Sequence, residues 1–310
     1  MIRTLWRTSR PLTAVALVML AALVPFVVGL LVDPRFITGV PAWLKPAKFA
    51  VSTAIYALTL AWVFRALPAW PRMRATVGWT SAIVLAIEVA IIAAQAWRGT
   101  TSHFNVSTIL DGVLFGVMGT LILVQTIASA AVAVALWRER RFADQAMGWA
   151  MRIGMTLTIV GAATGGMMTR PTAAQLEQAR ATHVMTISGA HTVGAPDGGP
   201  GLPGTGWSRE HGDLRVPHFV GLHALQLLPL FVLALRRRDS SDHARVQAVV
   251  LAGSAYAGLF ATLLVQALRG QSILQPDALT LSMLAGVVAI GAAAWAIAGG
   301  RRPVAVPAVM

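Results

Sequence analysis

The feature that most constrains this chain is a succession of apolar blocks, each about as long as a bilayer is thick. The hydrocarbon core of a membrane demands ~20 consecutive apolar residues in a helix. Blocks of that length recur from Leu12 to the C-terminal region, separated by short basic or Gly/Pro-containing joints. About eight spans are expected, at roughly 12–32, 47–65, 79–97, 107–136, 149–168, 217–235, 246–268 and 279–298. Hydrophobic residues make up 56% of the sequence and charged residues 12%. A soluble fold would need roughly twice that charge to clothe its surface. The expected fold class is therefore an all-α polytopic membrane helix bundle, read as a single membrane domain over residues 1–310.

The first block follows Arg3, Arg7 and Arg10. It is longer than the apolar stretch of a secretory signal, and no small-residue cleavage site precedes Asp33-Pro34, so it reads as a retained helix. The formal charge of +13 does not indicate a nucleic-acid partner, because the arginines form short clusters between apolar blocks rather than one basic face. Such clusters set topology. Arg65, Arg72, Arg74; Arg138, Arg140, Arg141, Arg152; Arg236, Arg237, Arg238, Arg245; and Arg301, Arg302 fall on the same side as the N-terminus. Both termini are then cytoplasmic, and the long segment 169–216 is outside, on the periplasmic side of an inner membrane. Within it, 171–183 reads as a short surface helix, and the Gly/Pro-rich stretch 187–207 as an ordered lid or a linker. The chain has no cysteine, so any metal or haem site would rest on His, Asp, Glu, Met or backbone groups.

This orientation gathers the unusual polar residues at the outer face. Lys45 and Lys48, the only lysines, sit in WLKPAKF (Trp43–Phe49), with Pro46 in the first turn of a helix. Snorkelling to headgroups is the plain reading; a cradle for an anion, such as a lipid phosphate, a carboxylate or haem propionates, is the functional one. Arg98-Gly99 and Arg269-Gly270 suit helix C-caps. Ser102 and His103 lie in RGTTSHFN (Arg98–Asn105). Asp111 either completes a Thr108-x-x-Asp111 cap or faces the histidines. Glu88 falls mid-membrane, where an acid is neutral, paired or lines a cavity. GDLRVPHFVGLHALQ (Gly212–Gln226) carries Asp213, Arg215, His218 and His223. Five residues apart on a regular helix, the last two would point about 140° from one another, which argues against one ion shared by both.

Together, WLKPAKF, RGTTSHFN and GDLRVPHFVGLHALQ resemble a group of uncharacterised bacterial inner-membrane proteins, which implies a fold and a compartment but no substrate. Ser102, His103, Asp111, His218 and His223 are also similar to the Ser/His/Asp set of ceramidase-like membrane hydrolases. That family holds zinc through H-x-x-x-H, whereas this chain has H-x-x-x-x-H.

Three functions are expected from these residues. The first is a b-type haem or other redox cofactor site, with His103 and His218 or His223 as axial ligands and Lys45, Lys48, Arg98 and Arg215 around the propionates. The second is a zinc hydrolase of a lipid-like substrate, with His103, His218 and His223 as ligands and Asp111 as ligand or base. The third is an anion transporter or binding protein, with Lys45, Lys48 and Arg98 at the ligand and Glu88 as proton carrier. The lipid bilayer is the expected partner throughout.

Overall fold

The computed structural model describes residues 1–238 and 240–299. Arg301 and Arg302, assigned above to the cytoplasmic side, lie outside the described residues. The fold is an all-α polytopic bundle. A short N-terminal helix α1 (Ile2–Thr8) leads into α2 (Arg10–Val32), α3 (Leu44–Val63), α4 (Pro71–Trp97), α5 (Ile109–Arg138), α6 (Gln145–Met168), α7 (Ala173–Thr182), α8 (Arg215–Leu222), α9 (Ala224–Leu235), α10 (Asp242–Leu268) and α11 (Ala278–Gly299). Seven helices are long and apolar enough to cross a membrane, and α8 with α9 makes an eighth if the bent pair is one span.

Small residues decide how closely these helices pack. A Cβ on Gly161 of α6 would lie 2.5 Å from the Cα of Gly221 in α8, so the two backbones touch where any side chain would separate them. Gly29 of α2 plays the same part for Trp43, whose indole Cγ would be 2.5 Å from an added Cβ. Trp43 is thus clamped on α2, with its indole N–H donating to Asp33 at 2.8 Å, rather than standing free in the interfacial belt.

The helices fall into two packed groups. In one, α3 lies along α2 and α4; in the other, α6 packs on α8, α9 and α10, and α10 on α11. The α5–α6 contact joins the groups. Among the described residues no extended packing joins α3 to α8 or α9, and Gln226 meets Thr59 there at 3.5 Å.

The span expected over 217–235 is broken. The axes of α8 and α9 differ by 48°, and His223 sits at the break with φ −89° and ψ 0°. Side chains from neighbouring helices take the carbonyls that the helical ladder would use. Tyr256 donates to Val220 O at 2.5 Å, and Thr158 to Leu222 O at 3.3 Å. Such insertions are a recognised cause of kinks. The regular-helix angle between His218 and His223 therefore does not apply.

The segment 169–216 is an ordered lid. Its helix α7 begins at Ala173, behind the N-cap Thr172, which makes a capping box with Gln175. The Gly/Pro-rich stretch is tied to the α4–α5 loop, to the end of α6 and to the residue that starts α8. Ser188 N donates to Phe104 O at 2.8 Å, Ala190 N to Met168 O at 2.9 Å and Leu214 N to His191 O at 2.9 Å. Two short antiparallel strands, β1 (Thr192–Val193) and β2 (Gly212–Asp213), close it.

Candidate functional site

Beneath the lid lie two adjoining cavities, about 770 Å³ and about 1040 Å³ in volume. Lys45, His103, His191 and Asp197 line both. The larger one also has Lys48, Arg215, His218 and His223 in its wall. Segments far apart in sequence therefore converge at one face of the membrane, the first turn of α3 meeting the α4–α5 loop, the lid and the α8–α9 break.

Lys45 and Glu88 approach His103 at its two ring nitrogens. Lys45 Nζ is 3.1 Å from His103 Nδ1, and Ser102 Oγ is 3.0 Å from the same nitrogen. With Lys45 charged, its ammonium has donors and no lone pair, so Nδ1 accepts and the ring proton sits on Nε2. That nitrogen faces Glu88 Oε1 at 3.8 Å. The other carboxyl oxygen of Glu88, Oε2, is buried with no hydrogen-bond partner. Glu88 is 2% exposed. Burial first, then the neighbouring Lys45, drives the His103 pKa well below its usual range, which keeps the ring neutral at pH 7.

The lid supplies a pair that sequence reasoning missed. His191 Nδ1 donates to Asp197 Oδ2 at 2.6 Å, and the backbone N–H groups of His191 and Thr192 donate to the same carboxylate. Burial raises the Asp197 pKa, but these bonds outweigh it and hold the group well below the carboxylate range. Burial lowers His191 despite the partner. No helical or strand periodicity links residues 191 and 197 in a Gly/Pro-rich loop, so no spacing rule could have paired them.

His218 donates through Nδ1 to Gly161 O at 2.8 Å, a bond made possible by the α6–α8 approach. His223 lies across the break. Arg215 is held by Asp213 through paired contacts, the shortest 2.6 Å.

Three expected site residues, Glu88, Asp111 and Arg98, line neither cavity. Glu88 reaches the site only through His103; Asp111 and Arg98 go elsewhere. The Asp111 carboxylate takes Arg98 at 2.7 Å, Gln95 at 2.9 Å and the Thr108 hydroxyl at 2.7 Å, while Thr108 Oγ accepts from Asp111 N. Arg98 also bonds to Gln95. Oδ1 of Asp111 fastens the end of α4 to α5 and Oδ2 closes the α5 cap at Thr108, so the carboxylate does not face the histidines. The expected zinc set is also not assembled. No group of three or more His, Asp or Glu side chains able to hold a metal ion occurs among the described residues.

No protein-family model, curated protein or solved structure matches this chain. Fold and site together define a multi-pass integral membrane protein with a lidded, cation-bearing cavity at one membrane face.

Proposed function

We propose that this protein binds an anionic ligand in the cavity beneath the lid and exchanges a proton with it through Glu88, as a proton-coupled transporter does. It would sit in a bacterial inner membrane, with both termini cytoplasmic and the lid outside. The chain Lys45–His103–Glu88 carries this reading. A neutral imidazole can pass a proton between its two nitrogens, and His103 stands between a cavity-lining lysine at 3.1 Å and, at 3.8 Å, a buried acid with a vacant acceptor. Lys45 and Lys48 supply attraction. Neither has a carboxylate within ion-pair distance among the described residues, and buried charge without a partner is costly. Arg98, spent on Asp111, is not part of the anion site.

The test is ligand-induced stabilisation of the purified full chain, measured against inorganic phosphate, sulfate and succinate at fixed ionic strength, with proton exchange followed in weak buffer. At least one anion should raise the melting temperature of the wild type and not of Lys45→Met/Lys48→Met. Glu88→Gln should retain that stabilisation and lose the accompanying proton uptake or release. Equal responses of wild type and the lysine variant to every anion would rule the reading out.

A further inference from the structure

The larger cavity changes character along its length. At the lid it is lined by Lys45, Lys48 and Arg215; deeper, by Phe49, Leu222, Leu227 and Tyr256. Leu227 is 48% exposed and lies in the bent membrane span, so the deep end reaches the lipid-facing surface. The opening falls where α3 and α9 lack extended packing. A ligand whose head is charged and whose tail is apolar matches both ends; a small hydrophilic anion matches only one.

Charge narrows the head. Arg215 is neutralised by Asp213, and Asp197 by His191. Lys48 donates only to the Thr205 carbonyl, at 2.9 Å, and Lys45 to the neutral His103. Neither lysine has a carboxylate within ion-pair distance among the described residues. A phosphate monoester carries about −1.5 to −2 at neutral pH, with three acceptor oxygens, and matches that pair better than a single carboxylate does.

We infer that the ligand is a phosphate-bearing amphiphile, entering laterally from the bilayer between α3 and α9, with its phosphate at Lys45 and Lys48 under the lid and its chain along Phe49, Ser52, Leu222 and Leu227. This rests on the anion-binding reading above and specifies its ligand.

The experiment uses the full chain in phosphatidylcholine nanodiscs and follows thermal stability against three probes: inorganic phosphate, octyl phosphate and octanol. Octyl phosphate should stabilise the protein at about tenfold lower concentration than inorganic phosphate, since a few buried methylenes suffice for that ratio, and octanol should not stabilise it. Lys48→Met should weaken both phosphates. Ser52→Trp, which fills the apolar path, should remove the advantage of octyl phosphate and leave the response to inorganic phosphate intact, a response that also reports that the variant is folded. If inorganic phosphate acts as strongly as octyl phosphate and both need Lys48, the anion site stands and the amphiphile inference falls. If octyl phosphate acts independently of Lys48 and Ser52, or neither phosphate acts, the amphiphile inference falls, while the anion reading stands or falls with the response to sulfate and succinate.

Discussion

At the scale of single residues, His103 and Glu88 make separable predictions. The folded-state pKa of His103 lies below its ordinary value of 6.5. Above that pH the ring is neutral in both folded and unfolded chains. As pH falls below it, the unfolded chain takes up the proton and the folded one resists, so stability is lost on acidification, at up to about 1.4 kcal/mol per pH unit for such a group. The carboxylates held low, Asp33, Asp197 and Asp277, lose their contributions only at pH values below 3.8, outside that window. His103→Gln should therefore show a shallower fall in melting temperature between pH 6.5 and 5 than the wild type, with His191 accounting for part of what remains. Parallel pH profiles would refute the assignment. Glu88→Gln separates function from stability. The amide cannot ionise, so the variant should melt no lower than the wild type while proton exchange disappears; a large loss of stability would show that the acid is structural. Glu88 and His103 were singled out as candidates in the sequence, Glu88 because an acid in mid-membrane is costly. Their pairing was not, because the partners come from a helix and a loop whose convergence depends on packing. Asp111 and Arg98 show the converse. Polar residues near a membrane boundary can serve a helix joint as readily as a site, and composition does not distinguish the two.

At the scale of elements, the α6–α8 contact ties packing to the site. Gly161 and Gly221 meet backbone to backbone, and a Cβ on Gly221 would lie 2.4 Å from Gly161 Cα. Gly161 also offers the carbonyl that orients His218. Gly221→Ala should cost about 1–3 kcal/mol, the range for overpacking a tight contact, and should displace His218 from the cavity wall. A thermal-unfolding comparison with Gly116→Ala supplies the control, since an added Cβ there meets nothing within 4 Å. Equal melting temperatures would remove the basis for the close approach. The spans themselves were readable from apolar length, and their observed ends fall within a few residues at most boundaries. α4 is the largest departure. It begins at Pro71 rather than near 79, because Pro71 at the helix start and Arg74, bonded to Phe64 O at 3.4 Å, carry the helix beyond its apolar block. The break at His223 was hidden, since it is caused by Tyr256 and Thr158, side chains from other helices.

At the scale of the whole molecule, the cavity acquires a meaning only with a side. The basic ends of the helices lie away from the lid. Arg152 caps the end of α5 through Leu136 O at 3.0 Å and is stacked among Trp137, Phe142 and Trp149, while Arg236 pairs with Asp144 at 3.1 Å. Such capping explains individual arginines without reference to topology, so the charge bias needs a direct check. The chain itself makes that check simple, because it contains no cysteine and a single introduced thiol is the only one present. Glu177 on α7 and Arg140 beyond α5 are both exposed and lie at opposite ends of the bundle. On the orientation proposed above, with the lid outside, Glu177→Cys should react with a membrane-impermeant maleimide on sealed membranes and Arg140→Cys only after they are opened. The reverse pattern would place the lid in the cytoplasm. The lateral opening between α3 and α9 would then draw its ligand from the inner leaflet, and any proton reaching Glu88 through His103 would come from the cytoplasm rather than from outside.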